Sequence, residues 1–559
     1  WNIRYVREII RDLHKVLPGT DIWLGGPEVS FDAPRLLAQE PQVLGIMKGE
    51  GEETFARLVT CYEALGTSAA QASEEKKQCP GQMSSGTSEH EAWAPADAPR
   101  CKVQESAPGP VAQGDAPRPK VRESAPWPVA QGDAPRPKVQ EPVIDAFWHS
   151  LAGLGSITFR DPTGQIRDLP MGPLLDLDQI PFPYADLDDF AHRIVYYESS
   201  RGCPFSCSYC LSSVDKTVRF RSLGLVEAEL QFFLDRQVPQ VKFVDRTFNC
   251  RKSHAMAVWR YILEHDNGIT NFHFEIAADL LDEEEQKLLA QMRPGLIQLE
   301  IGVQSTHPQT IREIRRKMDV GQVESVVARI RAGRNIHQHL DLIAGLPYED
   351  YDRFHASFNQ VYAMKPEQLQ LGFLKVLKGS YMEEMAPVYG LVFREQPPYE
   401  VISTRWLSFG EVLRLKGVED MVEVYYNSCQ FATVLNLLEP KFPDAFIMFE
   451  EMADYYRRNG LWGRSHSRLA RFEILHRFIR EHLERRENGQ KREDGQERAG
   501  GQKLACFEDA LMCDLYFREN AKSRPDFAPD QAPYKERIRE LAPGMRALGA
   551  QVHVEVFQS

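Results

Sequence analysis

The chain has 559 residues, 80 acidic against 67 basic side chains, and a formal net charge of −13. That length allows three or four domains, and 43% hydrophobic residues exclude a wholly disordered, fibrous or collagen-like chain. No run of 18 apolar residues occurs, so no membrane-spanning helix is expected, and the mild acidity argues against a phosphate-binding surface spread over the whole molecule. The opening WNIRYVREIIRDLHKVL lacks a secretory pattern and starts at Trp1 rather than Met. The chain is therefore read as a fragment or processed product with a cytoplasmic setting.

Residues 1–65 read as α/β. Val6, Ile9, Ile10, Leu13, Val16 and Leu17 recur at helical spacing. A buried strand, Ile22 to Leu24, ends at Gly25-Gly26-Pro27, and a second, Val43 to Met47, ends at KGEGEETF. There Gly49 and Gly51 make the turn, and Glu52 and Glu53 open a helix from Thr54 to Leu65. Strands ending in glycine turns before helices are where open parallel sheets bind ligands. Ordinary turns with glycine at positive φ would read the same way.

Residues 66–145 change character. DAPR begins at Asp97, Asp115 and Asp133, a tandem period of 18 with nearly identical intervening text. Such units hold too little apolar area to offset ordering, and their prolines block helix and sheet. A disordered insertion is expected, then a Pro-punctuated connector over 146–193. From Ile194 to about residue 380 strands and helices alternate, which implies a parallel sheet, open or curled into a barrel. Residues 400–559 read as mostly helical, with a charge-rich solvated break at 485–502. The basic run from Arg315 reads as a solvated helix face and lacks the aromatic platforms of a nucleic-acid reader.

The chemistry concentrates in RGCPFSCSYCLSS, residues 201–213. Cys203, Cys207 and Cys210 have the spacing C-x3-C-x2-C, which ten scattered cysteines would produce by chance roughly 0.003 times per chain. Disulfides fail on parity and compartment. A structural zinc needs four closed ligands, and the next candidates, Cys250 and His254, lie beyond a full strand. Iron–sulfur clusters also commonly take four thiolates. Three thiolates on one loop leave an iron open for a chelating ligand.

This motif, with an aromatic before its last cysteine, is similar to the radical S-adenosylmethionine enzyme superfamily. The resemblance implies a 4Fe–4S cluster held by the three cysteines, with S-adenosylmethionine on the fourth iron. It also implies a reductant such as flavodoxin or ferredoxin, and a small-molecule or unknown substrate. KFVDRTFN places Asp245 and Asn249 at the cofactor, although the usual Gly-Gly-Glu is absent. FHFEIAADLL adds Glu275, LEIGVQS adds Glu300, Gln304 and Ser305, and HLDLIAGLPYED adds Gly345 and Pro347. LGGPEVSF with GIMKGEGEETF is similar to the C-terminal half of a cobalamin-binding domain, which makes Gly25, Gly26, Gly49 and Gly51 cobalamin contacts in the full-length parent. The tail resembles an uncharacterised C-terminal domain paired with such enzymes.

The fold expected is α/β: a partial (β/α) barrel radical core, preceded by an incomplete Rossmann-like cobalamin-binding domain and followed by a mostly helical domain. The expected reaction is methylation of an unactivated carbon. The alternatives are a radical cyclase or rearrangement enzyme, a non-catalytic iron–sulfur electron carrier or sensor, and a zinc module. Cys250, Cys429, Cys506 and Cys513 read as packing residues, as does the pair His337 and His339.

Overall fold

A computed structural model of the chain describes residues 2–75, 141–184, 186–187, 190, 193–489, 497–518, 524–546, 555 and 557. It divides into two compact units: residues 23–26 with 33–172, and residues 1–22, 27–32 and 173–559. The repeats, at 97–136, lie outside the described residues.

The helices and strands of the first third are α1 (Ile3–Val16), β1 (Ile22–Leu24), α2 (Pro27–Ser30), α3 (Ala33–Gln39), β2 (Val43–Met47), α4 (Glu52–Glu75), α5 (Glu141–Ala152), β3 (Ile157–Arg160) and β4 (Ile166–Asp168). Strands β1 to β4 form one sheet in sequence order. The stretch read as a bare connector thus supplies a hairpin, with β3 antiparallel to both β2 and β4. Its turn is written in DPTG. Asp161 accepts from Thr163 N and Gln165 N, and Gly164 takes φ +84°. The apolar faces of α4 and α5 bury Leu58, Phe147 and Leu151 against Ile157 and Phe159. Gly45 in β2 leaves room for Trp23, whose Nε1 donates to Tyr62 at 2.9 Å. α4 runs ten residues beyond the expected Leu65, and α5 begins inside the segment read as insertion.

The second unit holds a six-stranded parallel sheet: β5 (Val195–Tyr197), β8 (Gln240–Phe243), β9 (Asn271–Ile276), β10 (Ile297–Gln304), β11 (His337–Ala344) and β12 (Gln368–Phe373), neighbours in that order. A two-residue ribbon, β6 (Ser200–Arg201) against β7 (Arg219–Phe220), brackets the cysteine loop. The crossovers are α6 (Leu223–Asp235), α7 (Lys252–Glu264), α8 (Glu283–Leu289), α9 (Pro308–Glu313), α10 (Val320–Gly333) and α11 (Tyr351–Ala363). Helices α8 to α11 start at side-chain caps. Asp282 accepts from Glu284 N and Glu285 N, and Glu285 reaches back to Asp282 N.

Beyond β12 come α12 (Tyr381–Glu384), α13 (Ala386–Tyr389), the pair β13 (Val392–Phe393) and β14 (Val401–Ser403), then α14 (Phe409–Met421). α14 continues as a π-helical segment, Val422–Asn427, followed by α15 (Ala432–Leu438), α16 (Ala445–Arg458), α17 (Arg468–Gly489), α18 (Glu497–Arg518) and α19 (Lys535–Arg546). Helix covers most of the break expected at 485–502; residues 490–496 lie outside the described residues. One apolar core joins this tail to the sheet. Phe358 on α11 packs edge-on against Phe446 at 5.4 Å, and Asn359 Oδ1 accepts from Phe446 N. Among the described residues no helix is long and apolar enough to cross a membrane.

Asn427 ends the π-helical segment against the outer edge of β12. Its Oδ1 accepts from Leu369 N and its Nδ2 donates to Leu369 O, both at 2.9 Å. Asn427→Leu strips both bonds from a strand backbone and is expected to cost about 1–3 kcal/mol, read as a lower urea midpoint of the full chain.

Candidate functional site

The cysteine loop leaves the carboxyl end of β5, where βα proteins place their chemistry. Gly202 takes φ +95°, and a Cβ there would meet Thr217 O at 2.3 Å. The loop is pinned from two sides: Ser208 N donates to Ile314 O, and Met382 N donates to Ser208 O. Ser213 Oγ donates to the carbonyls of Cys207 and Cys210. Cys203 and Cys207 are buried, Cys210 is half-buried, and all three are free thiols. Burial pushes the Cys207 thiol up, and Arg316, with Nη1 3.8 Å from its sulfur and 3.5 Å from Tyr209 Oη, pulls the other way.

Among the described residues the three sulfurs are not drawn within 4.8 Å of one another. A single zinc, at about 2.3 Å per thiolate, would hold sulfurs roughly 4 Å apart. Two buried thiols and a half-buried one on a pinned loop are the residues that would hold an iron–sulfur cluster.

Behind the loop lies a buried polar brace. Asp245, following β8, accepts from Ser199 N at 3.0 Å, Ser199 Oγ at 2.7 Å and Ser200 Oγ at 2.5 Å. Burial, opposed by these hydrogen bonds, raises its carboxyl to about 6. His254 Nε2 lies 2.9 Å from Ser199 Oγ, and burial lowers this imidazole to about 4, which keeps it neutral. A second brace is the buried, bidentate Arg221–Glu229 pair, with Tyr197 Oη donating to the same carboxylate.

The structure gives several of the residues expected at the cofactor their own internal partners. Asp245, expected at the cofactor, is wholly buried and saturated by Ser199 and Ser200. Asn249 instead ties Ala277 through both N and O. Ser305 donates to Glu349 at 2.6 Å, deep in the fold. Gly345 gives way to Val401, which a Cβ would meet at 2.7 Å. Arg316, read as part of a solvated face, instead turns onto the cysteine loop, and the loop after α9 carries it there. Only its place in a basic run was visible in sequence.

Glu275, Glu300 and Gln304 do share the inner face of the sheet, with Glu275 and Glu300 in register. They join Lys242, His273, His339 and Asp341, which the sequence reading missed as a set. Lys242 Nζ and His273 Nε2 each lie 2.9 Å from Glu300 Oε2. Burial opposes the Glu300 charge, but these two partners outweigh it and hold the carboxyl at about 2. Burial, reinforced by Glu300 and opposed by Arg246, raises Glu275 to about 7. A cavity of about 1010 Å³ opens from Tyr209 and Cys210 across Gln304, Asp341 and Gln370.

In the N-terminal unit Gly26, at φ +97°, and Gly51 have open space where a Cβ would stand. Gly25 sits in ordinary contact with Met47. Gly49 is required by the chain itself, because a Cβ would meet Met171 at 2.3 Å. Gly49 therefore answers to Met171, and Gly26 and Gly51 do not answer to a close neighbour.

A parallel βα sheet carries three free cysteines on the loop after its first strand. Residues 197–361 match the Radical SAM superfamily. Residues 388–554 match a family described as a protein of unknown function, DUF4080. Over 221 residues the chain is 25% identical to the uncharacterized methyltransferase PH0819 of Pyrococcus horikoshii, covering 37% of this chain and 46% of that protein. It resembles the radical S-adenosylmethionine methyltransferase TsrM from Kitasatospora setae with tryptophan and aza-SAM bound. That likeness has TM-score 0.46 at 15% identity, over 70% of this chain and 62% of the other. The TsrM structure with cobalamin and [4Fe-4S] cluster bound gives 0.37 at 17% identity, over 45% and 52%. The chain thus spans less than half of the curated relative it matches.

Two expectations test the braces. Asp245→Ala removes the acceptor of three hydrogen bonds, so Cys203 and Cys207 of the cluster-free protein are expected to react severalfold faster with a thiol reagent, and the melting temperature to fall. Glu349 is fully buried and raised to about 7 by burial, against hydrogen bonds from Ser305 and Ser357. A raised carboxyl binds its proton more tightly in the fold, so its stability contribution falls as pH climbs from about 4.5 to 7. Glu349→Gln should flatten that slope by about 2 kcal/mol in urea titrations at pH 5 and pH 7.5.

Proposed function

We propose that the chain is a cytoplasmic radical enzyme that cleaves S-adenosylmethionine reductively and methylates an unactivated carbon, with cobalamin as methyl carrier. The observation that carries the radical part is the pinned loop of three free cysteines at the carboxyl end of a parallel sheet. Cys203, Cys207 and Cys210 would hold the cluster. When bound, it supplies the electron that breaks the sulfonium bond of S-adenosylmethionine and so furnishes the radical.

The chain's own residues do the rest. Arg316 sets a positive charge beside Cys207 and Tyr209. Glu275 and Gln304 offer polar groups on the inner face. Methyl transfer is supported by the resemblance of LGGPEVSF and GIMKGEGEETF to a cobalamin-binding segment, by the open turns at Gly26 and Gly51, and by a relative named as a methyltransferase. Flavodoxin or ferredoxin suits the reductant's role.

Anaerobic reconstitution with iron and sulfide, followed by dithionite and S-adenosylmethionine, should yield 5′-deoxyadenosine by mass analysis. Cys203→Ala, Cys207→Ala and Cys210→Ala should each abolish it along with the cluster absorbance, and Cys250→Ala, Cys429→Ala and Cys513→Ala should retain both. A cluster lost in Cys250→Ala and kept in Cys207→Ala sinks the assignment. Titration with hydroxocobalamin, read by visible spectroscopy, tests the carrier. No spectral change, with 5′-deoxyadenosine still formed, removes methyl transfer and leaves a radical enzyme of another reaction.

A further inference from the structure

The cavity beside the cysteine loop has a second end that the βα sheet does not build. α14 and its π-helical continuation, within the region matched to the family of unknown function, bring Glu419, Asp420 and Glu423 to its wall. At about 1010 Å³ it is at the upper end of small-molecule sites, which run to roughly 1,000 Å³. It is continuous with Tyr209 and Cys210, so a molecule seated there lies beside the cluster loop.

The partners of the wall's charges are specific. Glu400 is paired with Lys416 at 2.9 Å, Glu423 accepts from Asn427 at 2.8 Å, and Lys378 is held by Glu28 at 2.6 Å. Arg246 also lines the cavity, and its charge is felt by Glu275. Glu419 and Asp420 are half-buried with no hydrogen bond or ion pair among the described residues. Burial pushes Glu419 up, Lys416 opposes, and Asp420, Glu400 and Glu423 add to the rise, which reaches about 7.

A second observation comes from the sheet side. Gln304 Oε1 and Asp341 Oδ1, from two other lining residues, are buried with no hydrogen-bond donor. His339, 6% exposed, has Nε2 3.0 Å from Asp341 Oδ1 but off the line a hydrogen bond needs. The unsatisfied oxygens of the lining therefore ask for donors and positive charge.

We propose that this cavity takes a substrate bearing a protonated amine or guanidine, seated against Glu419 and Asp420. The C-terminal region of unknown function is then the specificity element of the radical core. That the bound molecule is a substrate rests on the radical reading above.

The test uses the reconstituted full chain with S-adenosylmethionine and three probes of one shape: benzylamine, benzyl alcohol and benzoate, followed by calorimetry. Benzylamine should bind saturably, at least tenfold tighter than benzyl alcohol, and benzoate should not bind. The double variant Glu419→Gln with Asp420→Asn should weaken benzylamine about tenfold. It should melt at or above the wild type, because each change removes a half-buried charge without a partner. Lys416→Met should tighten benzylamine, a gain that misfolding cannot mimic. Equal affinities for the three probes, no benzylamine binding, or a double variant that binds as well as wild type overturns the inference. 5′-Deoxyadenosine formation without probe reads the radical activity separately. Cleavage without amine binding sinks this inference alone, and amine binding without cleavage sinks the activity and leaves the cationic site standing.

Discussion

A parallel sheet covered on both sides ordinarily fills both faces with aliphatic side chains. Strand β10 breaks that rule in strict alternation: Ile297, Leu299, Ile301 and Val303 are buried under helices, and Gln298, Glu300, Gly302 and Gln304 face inward. This polar inner face is the constraint on which the remainder depends. Charges inside a fold must be matched or solvated, so Lys242 and His273 converge on Glu300. The layer left over, from Asp341 to Gln370, lines a cavity in place of a packed core.

Holding a cavity open beside a cysteine loop puts the burden of rigidity elsewhere. The loop is braced from behind by Asp245 and from the side by Arg316, and both are anchored in neighbouring crossovers. The buried Arg221–Glu229 pair fixes the returning ribbon. Such pairs add little net stability over apolar replacements, but they specify one geometry. A loop that must present three sulfurs in fixed directions gains from that specification.

Much of this was legible in the residues. The strand and helix periods from Val195 to Phe373 match the observed elements within a few residues, because each crossover carries its own apolar stripe and α8 to α11 their own caps. The cysteine spacing is local chemistry and survives any error in fold. The contacts that the sequence did not show share one cause. Asp245, Asn249, Ser305 and Arg316 each carry a polar group with a partner between 28 and 109 positions away. A sequence shows that such a residue is polar but not whether its partner is a ligand or a distant serine. The hairpin at 157–168 was hidden differently: its strands are three or four residues long, too short for a period-two pattern to stand out.

Sheets end in strands whose backbone groups can be claimed by any passing chain. At the outer edge of β12 that invitation is withdrawn at both ends. Asn427 occupies Leu369 with a side-chain amide in place of a strand. Val401 N and Val376 N, bonded to Leu374 O and Tyr399 O, close the far end. What stays uncovered between them is shorter than the strand another molecule would need for stable pairing. The same π-helical segment that walls the cavity thus also leaves this edge a poor template for an added strand.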